Sequence, residues 1–149
     1  MEVLTLSNFS EALDFAEISH ADSAWKNYPF DRGLLAQNLE KMIGKDNYFT
    51  CIYRKDGKII GYWFASLCRL LCSYKLRAEE NGIYILPKHR GGKAAFAMWV
   101  KYKEWCDKHE AEPIAHVQFG DDSSNQKAYA FFNHLGMIEC GRIFRGGGE

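Results

Sequence analysis

The sequence predicts an α/β domain: a mixed central β-sheet flanked by helices. Three observations predict it. Apolar residues recur at helical spacing over residues 10–43, and β-rich runs replace that period over residues 48–86. From there to the end, helix-period and strand-period stretches alternate, which places helices on the faces of the sheet. The chain has 149 residues, 47% hydrophobic and 26% charged, as expected of one soluble globular domain. A single domain is expected over residues 1–145, with a flexible tail at 146–149.

The elements follow in order. Residues 2–6 alternate weakly and suggest a short first strand. Ser7 or Asn8 then caps a helix over residues 10–24, where Leu13, Ala16, Glu17 and His20 lie one turn apart. Pro29 breaks the pattern inside an aromatic link of Trp25, Tyr28 and Phe30. Leu34, Leu35, Leu39 and Met42 stripe a second helix over residues 31–43, which Gly44 ends. Residues 48–53 and 59–71 read as strands joined by the hairpin turn Lys55-Asp56-Gly57-Lys58. A third strand covers residues 74–86, and Gly82 within it suggests a bulge. A helix then runs to about His109, burying Ala95, Met98, Trp99, Tyr102 and Trp105. A strand over 114–119, a helix over 125–135 and a strand over 137–144 complete the chain.

Charge and cysteine usage narrow the function. Nineteen basic residues balance nineteen acidic ones, which argues against non-specific nucleic-acid binding. No apolar run is long enough to span a bilayer, and the N-terminus lacks the basic and apolar regions of a secretory signal. A cytoplasmic setting is expected. The five cysteines lack a CxxC pair; Cys68 and Cys72 read as buried, reduced thiols. No metal site is expected.

The chemistry concentrates in "YILPKHRGGKAAFAMW", residues 84–99. A strand runs into Pro87, Lys88, His89 and Arg90, then Gly91 and Gly92, then the helix beginning near Lys93, Ala94 and Ala95. A helix N-terminus presents unpaired N–H groups and the positive end of its dipole, so it attracts anions. Glycines let those N–H groups approach a phosphate without an intervening Cβ. The spacing is neither that of a Walker loop nor GxGxxG. A tight turn with solvated basic residues accounts for the same stretch taken alone.

One strand later comes "NQKAYAFFNHLGM", residues 125–137. Together the two segments resemble the GNAT superfamily of N-acetyltransferases, whose first motif is V-x-P-x-x-R-G-x-G-x-G/A and whose second is N-x-x-A-x-x-x-Y-x-x-x-G-F. Ile85, Pro87, Arg90, Gly91 and Ala95 match the first; Asn125, Ala128 and Gly136 match the second. Lys93 stands where the family has its central glycine, and Met137 replaces the last phenylalanine. Phe132 occupies the slot of the tyrosine that commonly protonates the departing thiolate of coenzyme A. The RGG-x-AA form looks like a variant of some phage-encoded members.

The resemblance implies acetyl-coenzyme A as cofactor and a sheet whose third strand splays from the strand over 114–119. It implies that Arg90, Gly91, Gly92, Lys93, Ala94 and Ala95 hold the pyrophosphate. The pantetheine arm would follow the backbone of Ile85 and Leu86, and Asn125 and Phe132 are further candidates to contact the cofactor. The acceptor would be an amine, of a small molecule or of a protein, and a homodimer is compatible with the family. Glu79, ranked ahead of Glu80, is the expected base, because a carboxylate desolvated in a cleft is suited to take a proton near neutral pH. Tyr129, one turn before Phe132, is the substitute acid. His116 reads as a structural strand histidine that could also shuttle a proton. Trp25, Tyr28 and Phe30, in the aromatic link, are candidates for the acceptor pocket. The competing reading is a GNAT scaffold without turnover, serving binding or structure, which Lys93 and Phe132 favour.

Overall fold

The computed structural model describes residues 1–116 and 121–141. Helices α1 (Phe9–Ala21) and α2 (Arg32–Glu40) precede strands β1 (Tyr48–Lys55), β2 (Lys58–Arg69) and β3 (Leu76–Ile85). A single 3-10 turn, Pro87–His89, leads to α3 (Lys93–Lys108), β4 (Glu112–Ile114) and α4 (Asp122–His134). The strands form one sheet in the order β1-β2-β3-β4. The first three are antiparallel, and β4 joins β3 in parallel after the α3 crossover.

Strict alternation sends neighbouring side chains to opposite faces of this sheet. Cys51, Trp63 and Ile85 join Met98, Trp99, Tyr102 and Phe132 in a core under α3 and α4. Their neighbours Ile52, Phe64 and Tyr84 join Leu13, Phe15 and Leu39 in a second core under α1 and α2. At the β1–β2 turn, Asp56 and Gly57 both take positive φ, 51° and 77°, as a two-residue hairpin that follows the strand twist requires.

Several boundaries differ from the sequence expectation. The segment 2–6 makes one bridge, Glu2 with Ile52, and no strand. Asn8 accounts for this: it does not cap α1 with its side chain but accepts Thr5 N–H at 2.8 Å and donates to Val3 O at 2.9 Å. The incoming chain is thereby coiled upon itself. Helix α1 ends at Ala21, three residues early. Helix α4 begins at Asp122, because Asp121 caps it by accepting Ser124 N–H at 2.8 Å. Strand β2 ends at Arg69, so Cys72 falls on the exposed connection and is not buried; Cys68 is half-buried. The strand expected over 114–119 is seen as β4, which ends at Ile114; residues 117–119 lie outside the described residues. Residues 137–141 form no strand, and 142–144 and the tail at 146–149 lie outside the described residues. Among the described residues, no helix is long and apolar enough to cross a membrane.

The sequence placed a bulge near Gly82, and one is there. Phe64 pairs with Gly82 but Ala65 with Glu80, leaving Asn81 as the extra residue. Gly61 has a different reason to be glycine. A Cβ there would stand 2.9 Å from Tyr84 O and 3.1 Å from Ile85 Cγ1, inside van der Waals contact. Gly61→Ala is therefore expected to lower unfolding stability by about 1–3 kcal/mol through overpacking of β2 against β3. A denaturant midpoint equal to wild type would contradict this.

Candidate active site

The ladder between β3 and β4 consists of three pairs, ending at Glu79 with Ile114, although β3 continues to Ile85. Side chains close the point of parting. The Tyr102 hydroxyl lies 2.5 Å from Ala78 O and 3.0 Å from Ile114 O, and it accepts Ile114 N–H at 3.3 Å. Burial pushes its phenol far up, so it keeps its proton. One step on, Glu80 Oε2 accepts His116 N–H at 3.2 Å, where a strand carbonyl would otherwise serve. Beyond that step, no described strand pairs with the far edge of β3. Leu86 N–H points to Ile60 O in β2, so alternation turns the Ile85 and Ile83 amides to this open edge.

The open edge leads into the glycine turn. Gly91 has φ +76°, which L side chains rarely adopt, and extended Gly92 is the N-cap of α3. Asp31 and Asp121 cap α2 and α4 with their side chains, whereas α3 has no side-chain cap. Its first N–H groups therefore have no side-chain cap, and Lys88, His89 and Lys93 lie beside them in sequence. An uncapped sixteen-residue helix, a bare backbone turn and an unpaired strand edge fit a pyrophosphate with an amide-bearing arm.

Arg90 does more than add charge. Its Nε donates to Ile85 O at 2.8 Å and its Nη2 to Asp22 Oδ2 at 2.6 Å. Nη1 reaches Ser124 Oγ at 3.5 Å, and the guanidinium lies 5.3 Å from the centre of the Tyr84 ring. One side chain thus joins the end of β3, the end of α1 and the first turn of α4, where Asn125 sits. Tyr84 completes the network by donating to Asp22 Oδ2 at 3.1 Å. Burial, with the Asp22 carboxylate beside it, pushes the Tyr84 phenol up to about 12.

Behind the open edge lies a cleft of about 470 Å³ between α1, the link after it and the bulged part of β3. Trp25, Phe30, Leu35 and Ile83 supply apolar wall; Ser19, Tyr62, Asp22, Glu80 and His116 supply the polar groups. Tyr62 and Ser19 share a hydrogen bond of 2.8 Å, and burial raises the Tyr62 phenol. The structure brings Glu80 to this cleft, with its side chain only 7% exposed. Glu79 is not part of the wall; it pairs with Arg77 at 3.2 Å. The bulge at Asn81 changes the strand's phase just where these two glutamates must be told apart. His116 faces Glu80, Nδ1 to Oε2 3.7 Å, and hydrogen bonding to that carboxylate raises the imidazole above its ordinary value.

Phe132 lies elsewhere. It is 8% exposed and packs edge-on against Trp63 at 6.2 Å, within the core under α4. Tyr129 is 47% exposed and outside the cleft wall. Trp25 and Phe30 line the cleft as the aromatic link suggested, while Tyr28 stays outside, against Trp25. The sequence reading missed Asp22 and Tyr84. The only signal was their company: a carboxylate just past a helix end and a tyrosine one residue before the motif.

Residues 12–137 match the family model described as the acetyltransferase (GNAT) family. The chain belongs to that family. Acetyl-coenzyme A is accordingly the cofactor of this GNAT acetyltransferase. Solved structures share its fold. Aminoglycoside antibiotic 6′-N-acetyltransferase AAC(6′)-IG from Acinetobacter haemolyticus is 14% identical, covering 99% of this chain and 97% of its own, with TM-score 0.72. AAC(6′)-Iy, in complex with the bisubstrate analogue CoA-S-monomethyl-acetylneamine, is 18% identical over 99% and 96%, with TM-score 0.73. The integron cassette protein HFX_CASS3, from the mobile metagenome of Cole Harbour Salt Marsh, is 13% identical over 99% and 88%, with TM-score 0.75. No curated protein matches the GNAT chain in sequence.

Two outcomes test this site. Gly92→Asp places a carboxylate at the N-cap of α3, where it both caps the helix and occupies the anion position. Acetyl-coenzyme A affinity should fall at least tenfold, about 1.4 kcal/mol, while stability holds or rises by a few tenths of a kcal/mol. Calorimetry beside thermal melting separates the two. The second concerns His116. A raised folded pKa gives stability that is fully present below the ordinary value of 6.5 and lost as pH rises through the folded value. The melting-temperature advantage of wild type over His116→Gln should therefore be larger at about pH 5.5 than at about pH 8.5.

Proposed function

We propose that this GNAT chain is an N-acetyltransferase that moves the acetyl group of acetyl-coenzyme A to a primary amine. The observation that carries the reading is Glu80. It is a nearly buried carboxylate in the wall of a cleft that opens beside the unpaired edge of β3. An attacking amine must be neutral, and a carboxylate held in a cleft can take its proton, directly or through a water. The cofactor, when bound, supplies an activated acetyl thioester.

The chain's own groups divide the remaining work. The first N–H groups of α3, with Gly91 and Gly92, hold pyrophosphate, and Lys93 adds charge at the helix start. Ile83 and Ile85 offer strand N–H groups to the pantetheine arm, and the bulge at Asn81 turns further backbone toward the reacting carbonyl. Glu80 keeps the amine deprotonated, and His116 positions the Glu80 carboxylate. With Phe132 in the core, Tyr129, exposed on α4, is the candidate proton donor to the leaving thiolate. An amine acceptor agrees with the aminoglycoside N-acetyltransferases whose fold the chain shares.

Coenzyme A release with a panel of primary amines tests the reading. Glu80→Gln should lower the rate by about two to four orders of magnitude at neutral pH, recovering in part as pH rises and free amine increases. Glu79→Gln should stay within about threefold of wild type. Acetyl-coenzyme A binding without transfer to any amine would instead support a scaffold without turnover.

A further inference from the structure

The cleft also states what kind of amine it suits. We infer that the acceptor is a monocationic primary amine carried on a flat, apolar body, and not a polyhydroxylated polycation. This rests on the N-acetyltransferase reading and refines its substrate class.

Charge makes the first half of the argument. Among the described residues, the cleft wall has two carboxylates, Asp22 and Glu80. Asp22 is already held by Arg90 at 2.6 Å and by the Tyr84 hydroxyl at 3.1 Å. Glu80 faces His116, whose backbone N–H it accepts. The same wall carries two imidazoles, His20 and His116. A ligand with several ammonium groups would need several carboxylates free to pair with them, since a desolvated ammonium without a partner is costly. With Asp22 neutralised by Arg90, Glu80 is the one carboxylate of this wall without a described arginine or lysine partner.

Shape and surface make the second half. Trp25, Phe30, Leu35 and Ile83 present rings and alkyl groups to the space, and Phe30 is braced by the His20 ring at 5.3 Å. Tyr62 stacks on Phe64 at 4.9 Å, so its ring too is fixed by the core behind it. The wall's four hydroxyls already have partners: Tyr62 and Ser19 bond to each other, Tyr84 donates to Asp22, and Ser23 donates to His20 O. A sugar's hydroxyls would find few open partners there, whereas an aromatic or alkyl body would bury its surface against Trp25 and Phe30. A volume of about 470 Å³ is in the range of small-molecule sites.

The test compares kcat/KM for 2-phenylethylamine, tryptamine, ethylamine, spermidine and neamine, with acetyl-coenzyme A binding measured separately by calorimetry. The two aryl amines should exceed spermidine and neamine by about tenfold or more. Trp25→Ala and Phe30→Ala, each checked for folding by thermal melting, should lose about tenfold more with 2-phenylethylamine than with ethylamine. Higher kcat/KM for neamine or spermidine overturns the inference and leaves N-acetyl transfer standing. So does an equal loss for both amines in both variants. Transfer to none of the five amines, by a protein that binds acetyl-coenzyme A, overturns this inference together with the enzyme reading beneath it.

Discussion

The candidate site is built around the end of the described parallel ladder between β3 and β4. The ladder lasts three residue pairs, and among the described residues no strand pairs with the outer edge of β3 over its last six. Strand ends are expensive to leave bare, since each backbone N–H and C=O needs a partner. Here side chains supply them at the fork. Tyr102, rising from α3, bonds to both strands with one hydroxyl, and Glu80 takes the amide of His116. Each gives a backbone group at the fork a partner, and beyond it no described strand covers the outer edge of β3. The bulge at Asn81 lies just past the fork, so the strand changes phase where the cleft begins.

Arg90 then binds the consequences together. Guanidinium donors lie in one plane in fixed directions, which suits a residue that must reach several elements at once. It grips the last carbonyl of β3, the carboxylate after α1 and the hydroxyl that precedes Asn125 in α4. The two motifs recognised in the sequence, thirty-odd residues apart, are joined through this one side chain. The same contact pairs Asp22 and so lowers the net negative charge of the cleft wall. A residue of the glycine turn thereby shapes the wall of the cleft. Exposed ion pairs are individually weak; this one has three neighbouring bonds and a ring face to hold its geometry.

How much was legible in the sequence depends on the range of the forces involved. Periodicity and turn chemistry are local, so the eight helices and strands described were each anticipated, as were the hairpin at Asp56 and Gly57 and the bulge near Gly82. Errors fell at the ends, where a distant or unexpected partner decides. Asn8 bonded backward into the chain and cost the first strand, and Asp121 started α4 early. The glutamates show the same limit within the site. From spacing alone Glu79 and Glu80 are equivalent neighbours, and it takes the bulge and the fork to bring one to the cleft and leave the other on Arg77.

By itself the sequence pointed to the family, and through that resemblance to its cofactor, because two short motifs at a fixed spacing carry it. Gly91 and Gly92 before a helix, with Arg90 and Asn125 at their spacing, specify N–H geometry that short-range sterics can fix. Only the tertiary structure decided that Glu80 and not Glu79 lines the cleft, that Phe132 packs into the core against Trp63, and that Asp22 is held by Arg90. Those outcomes depend on which side chains meet across α1, β3 and α4. Contacts at separations of 62 and 68 residues leave no periodic trace in a single chain.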